Sequence, residues 1–372
     1  PDAARKKRPP REMRPGRAWA LLPGMPLRIA ALVLILLATG GLLVRLGNRR
    51  RLAPGRAAEQ AAAVDQGLQW LLSTQLPSGG WHVEDLGGRP DYAPALNGLA
   101  ILALTRSEDH APDPAEPLGR AAACLVRTQS DSGRFGRAFD GTMYNQGIAT
   151  LALLEYHRAS GDDRYRNAIA AAVAFIRRRQ SPAGGWGYRR AATGPPNTSI
   201  TAWQVQALLL ADRLGFDGNG IALRKALAWM SGTVNQRGYF GYERPRQFPD
   251  GPATLTMMGA HCLLAARRLD MPVDARLVAR VMHGMDTLVR TVPDDYYGTY
   301  FYSSALSEAD PVAFGDALAA ARSDVVARQQ TAGRGAGRWP ANDRWGTAGG
   351  QVYSTSMALL SLVPPKEHTV AF

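Results

Sequence analysis

The sequence is poor in cysteine. Of its 372 residues only two are cysteines, Cys124 and Cys262, and they fall in different apolar segments. A disulfide framework needs several pairs of cysteines, and a structural zinc site needs closely spaced ones such as a Cys-x-x-Cys pair. The spacing therefore argues against a disulfide-stapled scaffold and against a Cys-x-x-Cys metal centre.

Most of the chain also lacks an excess of charge of either sign. Residues 1–56 contain 13 of the 44 Lys and Arg residues and two of the 31 acidic residues, which gives this segment a net charge of +11. The remainder, with 31 basic and 29 acidic residues, is nearly neutral at +2. A nucleic-acid-binding domain needs a basic surface on its folded part. We therefore expect no nucleic-acid partner.

Long hydrophobic runs are scarce, with one exception near the N-terminus. Ile29–Val44 are 16 uncharged, mostly apolar residues, and Leu27 and Leu46 lengthen the run. A spanning helix needs about 20 such residues, so we predict a single transmembrane anchor over residues 27–46. A cleaved signal peptide is the alternative, because small residues occur within the run.

Charge near this run indicates an orientation. Eight basic residues precede it and five follow it, up to Arg56. The positive-inside rule then places the N-terminal segment in the cytoplasm and the rest of the chain on the non-cytoplasmic side. The predicted organisation is a basic disordered segment (1–26), the anchor (27–46), a basic linker (47–59), a folded domain (60–363) and a tail (364–372).

A repeat dominates the folded part. Five times an apolar helical segment ends in Gln or Asn, a short gap, Gly, one residue and an aromatic. The copies run Gln75 to Trp81, Gln129 to Phe135, Gln180 to Trp186, Asn235 to Phe240 and Gln330 to Trp339. The aromatics are 54, 51, 54 and 99 residues apart, and the last step leaves room for one eroded copy. A period near 50 indicates a repeat architecture.

Each repeat contains the pattern of two helices. The first ends at the glycine turn, where a positive φ stops a helix, and the second begins at a polar cluster and is apolar almost all round. Helices that are apolar on every side are buried, so the second helices should form an inner layer, and Tyr300–Leu306 supplies the one for the eroded copy. The first and last copies keep the turn, so neither resembles the polar cap of an open solenoid. The sequence therefore predicts an all-α, single α6/α6 toroid.

The repeat is similar to the Gln–Trp repeat of triterpene cyclases, the squalene–hopene and oxidosqualene cyclases. Gly67, Trp70, Gln75, Gly79 and Trp81 carry the resemblance in the first copy, and it extends over roughly residues 60–362. Related repeats occur in protein prenyltransferase β subunits and complement-type thioester domains. The resemblance implies that the turn residues join neighbouring helix ends and are structural. Those residues are Gln75, Trp81, Gln129, Phe135, Gln180, Trp186, Phe240 and Trp339.

The residues that carry the chemistry of these families are missing. The cyclases protonate their substrate with an Asp-x-Asp-Asp-Thr-Ala motif, and in the best match here Asn197, Ser199 and Ile200 replace its acids. The prenyltransferases bind zinc through Asp, Cys and His. Here the adjacent His261 and Cys262 point about 100° apart on a helix, which favours core packing. The thioester motif Gly-Cys-Gly-Glu-Gln is absent. We therefore expect no metal and no cofactor.

The polar starts of the inner helices are the remaining candidates for a site. Alignment of the helices places six polar residues at equivalent positions: Asn97, Gln146, Thr201, Thr256, Ser303 and Thr355. Nearby are Tyr144, Asn145, Ser199, Trp203, Tyr302 and Tyr353. In a toroid these side chains would surround one end of the ring, which we call the mouth. Capping of the helices is the simpler interpretation for any single Asn, Ser or Thr, while the aromatic residues favour ligand binding.

Acidic residues near the mouth offer only one adjacent pair, Asp294 and Asp295, which we interpret as a solvated loop. We therefore expect a membrane-anchored toroid that binds a peptide, lipid or polyprenyl-like ligand at its mouth without catalysis. The alternatives are a diverged terpenoid cyclase, a carbohydrate-active toroid enzyme and a structural scaffold. A buried carboxylate of raised pKa in the central cavity would favour an enzyme, and a filled centre would favour a scaffold.

Overall fold

The computed structural model describes residues 55–107, 109–110, 115–188, 194–249 and 251–363. These ranges contain twelve α-helices, and their secondary structure includes no β-strand beyond isolated bridges. The helices are α1 (55–74), α2 (Ala93–Arg106), α3 (Ala115–Val126), α4 (Thr142–Ser160), α5 (Arg166–Arg178), α6 (Thr198–Arg213), α7 (Gly220–Gly232), α8 (Pro252–Arg268), α9 (Ala275–Leu288), α10 (Tyr296–Ala309), α11 (Gly315–Ala327) and α12 (Gly346–Leu362). Short 3-10 helices occupy Pro90–Tyr92, Asp163–Tyr165 and Gly333–Gly335.

The even-numbered helices form the inner layer. In α6 every residue from Thr198 to Ala211 is buried, as expected for a helix enclosed on all sides. The odd-numbered helices bury only one stripe. In α9 this stripe includes Leu277, Val281 and Leu288, which are four and seven residues apart. Such spacing is the pattern of an outer helix packed on a core. The predicted alternation of inner and outer helices is confirmed.

The inner helices close into a ring. Each even-numbered helix contacts the next, from α2 through α4, α6, α8 and α10 to α12, and α12 contacts α2. Helix α1 packs beside the last repeat, where Gly67 lies so close to Trp339 and Leu359 that a Cβ would come within 3 Å of each. The predicted all-α ring of six helix pairs is therefore the observed architecture.

The glycine turns bind each outer helix to its successor. The Gln75 side-chain amide donates to the carbonyls of Gly79 and, on the next outer helix, Pro117, both at 2.9 Å. The indole of Trp81 donates to the carbonyl of Leu71 at 2.9 Å. Gly79 has a φ of +96°, and a Cβ there would lie 2.1 Å from the carbonyl oxygen of Arg120, so only glycine permits this approach.

The other turns follow the same scheme with local changes. The amides of Gln129 and Gln180 also donate to the carbonyl of their turn glycine and to a carbonyl of the following outer helix. Phe135 and Phe240 are fully buried, but their rings have no N–H to donate. The side-chain oxygen of Asn235 instead accepts from backbone N–H groups of its own turn.

The last turn differs from its predicted form. There the amide of Gln329, not Gln330, donates to the carbonyls of Gly337 and Ala63, both at 2.8 Å. Gln329 precedes its glycine by eight residues, whereas Gln75 precedes Gly79 by four. Four additional residues therefore lengthen this turn, and counting back from the aromatic misassigned the glutamine by one position.

Several predictions concern residues outside the described ranges. The segment 1–26, the anchor over residues 27–46, the linker as far as residue 54 and the tail over 364–372 all lie there and stay predictions. The last five residues of the predicted linker, 55–59, are described and belong to α1. Within the described ranges no helix combines the length and hydrophobicity needed to span a membrane.

Candidate functional site

Five of the six aligned polar residues at the mouth bind the preceding turn. The side-chain oxygens of Asn97, Gln146, Thr201, Thr256 and Thr355 each accept a hydrogen bond from the backbone N–H of a turn aromatic. The donors are, in the same order, Trp81 (2.9 Å), Phe135 (3.2 Å), Trp186 (3.0 Å), Phe240 (3.2 Å) and Trp339 (3.2 Å). These side chains hold each turn on its inner helix, and the structure does not place them on the wall of a cavity.

The sixth aligned residue, Ser303, is one helical turn too far along α10. The position equivalent to Thr201 belongs to Thr299, whose hydroxyl donates to the carbonyls of Pro293 (3.1 Å) and Asp295 (2.9 Å) at the start of the helix. The turn before α10 lacks the Gly-x-aromatic sequence that fixes the register elsewhere. The alignment therefore slipped by four residues, and Ser303 is a buried side chain in the body of the helix.

A cavity of about 140 Å³ occupies the mouth of the ring. Its wall consists of aromatic, aliphatic and glycine residues: Tyr92, Ala95, Leu96, Leu99, Tyr144, Ile148, Tyr188, Trp203, Tyr297, Trp345, Ala348, Gly349 and Tyr353. Of the sequence-predicted residues, Tyr144, Trp203 and Tyr353 reach this wall. No acidic or basic side chain is present among the lining residues that the structure describes.

Helix register explains which side chains reach the cavity. Ala95, Tyr144, Tyr297 and Tyr353 each lie two residues before the residue that binds the turn, and Leu99, Ile148 and Trp203 each lie two residues after it. Positions two before and two after are four residues apart, which places them on one face of a helix. The face that binds the turn and the face that lines the cavity are thus distinct.

A chain of hydroxyl groups crosses one side of the wall. The Ser199 hydroxyl lies 2.8 Å from the hydroxyls of both Tyr144 and Tyr297. The indole N–H of Trp203 donates to the Tyr297 hydroxyl at 2.9 Å. The Tyr188 hydroxyl is 3.4 Å from that of Tyr144. Ser199 stands at the position where the resemblance to the cyclases would place an acid, and its two partners are phenols.

Tyr144 and Tyr297 are neutral at physiological pH. Burial raises the pKa of Tyr144 well above its ordinary value of 10, and the neighbouring Tyr297 raises it further. Burial likewise raises the pKa of Tyr297, although the hydrogen bonds from Ser199 and Trp203 oppose the effect. Removal from water disfavours the phenolate in both cases. The chain therefore presents hydroxyl groups and no charge.

A carboxylate fixes the rim of the cavity. Asp343 accepts from the Tyr353 hydroxyl and from the backbone N–H groups of Tyr296 and Trp345, each at 3.0 Å. The Tyr353 hydroxyl in turn accepts from the N–H of Tyr297 at 3.1 Å. Asp343 is half-buried and, through these bonds, positions Tyr353 and Tyr297 in the wall.

A second carboxylate corrects the interpretation of the acidic pair. Asp295 is buried rather than solvated and caps α10, because its Oδ1 accepts from the N–H of Gly298 at 2.7 Å. Burial raises its pKa, while that hydrogen bond and Arg344, at 3.4 Å, oppose the change. Only Asp294 is exposed. Asp295 is a buried carboxylate of raised pKa near the mouth, but it is not one of the residues that line the cavity.

Two other predicted residues are buried away from the cavity. Asn145 accepts from the N–H of Ala95 at 3.3 Å and donates to the carbonyl of Asp91 at 2.8 Å, so it joins α4 to α2. The hydroxyl of Tyr302 donates to the carbonyl of Val289 and joins α10 to the end of α9. Both side chains are structural.

The floor of the cavity is filled. Trp203 stacks on Tyr300 with ring centres 5.6 Å apart and planes 5° apart, and Phe301 packs against both rings. On the far side, the Tyr300 hydroxyl donates to Gln206 at 3.1 Å. A buried ion pair, Arg106 with Glu155 at 3.0 Å, lies at this opposite end of the ring.

The residues that the structure describes do not form a metal site. His261 and Cys262 are buried in α8, where the thiol of Cys262 contacts the carbonyl of Ala202 at 3.6 Å. Across the described part of the chain, no three His, Cys, Asp or Glu side chains are placed to hold an ion together.

Four aromatic residues of the wall were not predicted from the sequence: Tyr92, Tyr188, Tyr297 and Trp345. Tyr297 is two residues before Thr299, so a correct register for α10 would have identified it. Tyr92 and Trp345 immediately precede inner helices, and Tyr188 follows the turn at Trp186. No helical periodicity predicts the direction of side chains in these connecting segments.

Comparison with proteins of known sequence gives one informative match. The chain is 30% identical over 208 residues to a drimenyl diphosphate synthase from Streptomyces showdoensis. The match covers 55% of this chain but only 36% of that protein. No protein-family model matches the sequence.

Solved structures share the fold at low sequence identity. A cellobiose 2-epimerase from Spirochaeta thermophila superposes with a TM-score of 0.63 at 15% identity, covering 85% of this chain and 97% of the other. An α-1,6-mannanase from a Salegentibacter species gives 0.62 at 8%, covering 82% and 98%. A type II terpene cyclase from Scytonema gives 0.54 at 15%, covering 84% and 98%. The α/α toroid is thus shared by carbohydrate-active enzymes and terpene cyclases, and the likeness establishes the fold alone.

Proposed function

We propose that the ring binds an apolar, isoprenoid-like ligand at its mouth without catalysing a reaction on it. The observation that carries the proposal is the composition of the cavity wall, which is aromatic and aliphatic and lacks charged side chains among the lining residues described. Concave apolar pockets with a few convergent polar groups are the usual form of small-molecule sites. The partial match to a drimenyl diphosphate synthase supports the isoprenoid class of ligand.

The size of the cavity limits what enters it. A closed apolar cavity of about 150 Å³ holds one benzene ring, and the volume here is about 140 Å³. One ring-sized group, or one to two isoprene units, therefore fits against Leu99, Ile148 and Trp203. The remainder of a longer ligand would lie outside, along the rim.

Binding of a small terpene hydrocarbon tests the proposal. We expect the full chain to bind myrcene, with a change in tryptophan fluorescence because Trp203 and Trp345 line the cavity. Ala348→Trp fills the cavity from α12 and should abolish binding. Thr347→Trp adds the same side chain at a neighbouring exposed position outside the cavity wall and should retain it. Absence of myrcene binding to the wild-type chain, or its persistence in Ala348→Trp, would contradict the proposal.

A diverged cyclase is the second candidate, favoured by the 30% identity to a drimenyl diphosphate synthase. The acid nearest the wall in the hydrogen-bond network is Asp343, which contacts Tyr353. Asp343 is not one of the residues that line the cavity, and its carboxylate already accepts three hydrogen bonds from Tyr296, Trp345 and Tyr353. On the binding proposal, farnesyl diphosphate incubated with the full chain, with and without Mg²⁺, yields no cyclised product by gas chromatography and mass spectrometry. Turnover that is lost in Asp343→Asn would establish the enzyme instead.

A carbohydrate-active function is less well supported by the site than by the fold. Glycoside hydrolysis generally uses two carboxyl groups that flank the scissile bond. None of the described residues on the cavity wall is Asp or Glu. We therefore rank this alternative below the other two.

A further inference from the structure

The hydroxyl groups on the polar side of the cavity wall carry one more hydrogen than they use in bonds to one another. Tyr144, Ser199 and Tyr297 supply three hydroxyl hydrogens, but only two contacts of 2.8 Å join them in a row. A row of three hydroxyls uses two hydrogens internally, and one is left over. This follows whichever way the hydroxyl groups rotate, because each has one hydrogen to donate.

The position of the remaining hydrogen follows from the indole at one end. Trp203 can only donate, and its N–H contacts the Tyr297 hydroxyl at 2.9 Å. A hydroxyl that accepts a hydrogen bond becomes a stronger donor, so hydrogen bonds in a row polarise in one direction. This polarisation favours a row that runs from Trp203 through Tyr297 and Ser199 to Tyr144. In that direction the remaining hydrogen is on Tyr144, which lines the cavity.

No close partner among the hydroxyls of the wall takes this hydrogen. The Tyr188 hydroxyl is 3.4 Å away, whereas O–H···O hydrogen bonds are usually 2.5–3.0 Å long. Tyr188 is also 38% exposed, so its hydroxyl is open to solvent. An oxygen atom of a ligand in the cavity would be a better acceptor.

We propose that this site selects apolar ligands that carry a neutral oxygen, such as a terpenoid alcohol or ketone, and that the Tyr144 hydroxyl donates to that oxygen. The inference rests on the proposed binding function and names the class of ligand. A neutral oxygen fits because the lining residues described include no cation. A diphosphate would lose its hydration on entering and find no positive charge in return.

Three ligands, each with ten carbon atoms in its isoprenoid part, test the inference on the full chain. Geraniol carries a hydroxyl, myrcene carries no oxygen and geranyl diphosphate carries a charged group. A single hydrogen bond should make geraniol bind about three- to ten-fold more tightly than myrcene. Geranyl diphosphate should bind no more tightly than myrcene.

Two matched variants locate the donor. Tyr144→Phe and Tyr297→Phe each remove one phenol hydroxyl from the cavity wall, but on this inference only the first removes the hydroxyl that donates to the ligand. We expect the ratio of the myrcene and geraniol dissociation constants to fall to about one in Tyr144→Phe. It should persist in Tyr297→Phe, because Ser199 can still donate to Tyr144 there and leave the Tyr144 hydrogen for the ligand. A general loss of stability changes both constants together and leaves their ratio unchanged.

The outcomes separate this inference from the binding function. Failure of all three ligands to bind would overturn the proposed function. Equal binding of myrcene and geraniol would overturn only the inference, as would tightest binding of geranyl diphosphate. Loss of the geraniol preference in Tyr297→Phe with its retention in Tyr144→Phe would place the donor at the wrong end of the row.

Discussion

Single hydroxyl groups distinguish the cavity wall from an ordinary hydrophobic core. Trp203, Tyr144 and Tyr297 are large aromatic residues of the kind that fill protein interiors, yet here their polar atoms are joined to one another directly or through Ser199. Ser199 joins them because it follows the cap residue of α6 by two positions, and Asn197 fixes that helix start by accepting from the N–H of Ile200 at 2.9 Å. The local rule for starting a helix thus delivers the small hydroxyl on which the row depends.

The phenols of Tyr144 and Tyr297 make the stability of the ring depend on pH in the alkaline range. Tyr144 and Tyr297 have raised pKa values in the native ring, whereas in the unfolded chain both titrate near 10. Above pH 10 the unfolded state therefore loses protons that the native state keeps, and the free energy of unfolding falls as the pH rises. Well below pH 10 neither state ionises these groups, so they add no pH dependence, and myrcene binding should stay constant from neutral pH to about pH 9.

Urea unfolding at a series of alkaline pH values measures this effect. The loss of stability above pH 10 should be smaller in Tyr144→Phe and Tyr297→Phe than in the wild-type chain. A native protein whose phenolate absorbance already includes these two residues near pH 10 would show that the wall is more hydrated than the structure indicates.

Turns between elements account for most of what could be predicted from the sequence. Where a Gly-x-aromatic turn precedes an inner helix, the register was correct, as at Thr201 and Thr355. Where that turn is missing, before α10, Ser303 was chosen in place of Thr299, and Tyr297 was lost with it. Where the turn is longer, before α12, Gln330 was chosen in place of Gln329. The errors lie where insertion or divergence removed the sequence signal that sets the register.

The last turn gives a test at the level of the element. Gln329→Ala removes the two hydrogen bonds, to Ala63 and Gly337, that attach α1 to this turn. We expect the free energy of unfolding to fall by about 1–3 kcal/mol, because each bond contributes about 0.5–1.5 kcal/mol. Gln330→Ala is the matched control, since the Gln330 side chain bonds only within its own turn, to Ala332 and Arg338, and does not reach α1. If urea unfolding showed an equal loss of unfolding free energy in the two variants, Gln330, the residue predicted from the sequence, would matter as much as Gln329.

At the scale of the whole molecule, the ring separates two environments. The mouth is aromatic and carries hydroxyl groups, while the opposite end contains the buried Arg106–Glu155 pair. The repeat predicted the ring because its period recurs in the sequence, but it did not predict this polarity. The residues that create it are in different repeats, and they differ from one repeat to the next. Fold and site therefore rest on different parts of the sequence, the fold on what the repeats share and the site on what they do not.

Closure of the ring also orders the events of folding. Neighbouring repeats pair through contacts that are local along the chain, but the bond from Gln60 to the carbonyl of Leu362 joins residues 302 positions apart. Contacts of such separation form late, because a long loop must close first. During synthesis α1 leaves the ribosome before α12. Until α12 packs beside it, apolar residues of α1 such as Leu68 and Leu71, which are buried in the closed ring, are not fully shielded from water. A ring that is closed by its first and last helices is therefore prone to aggregation during folding until these two helices meet.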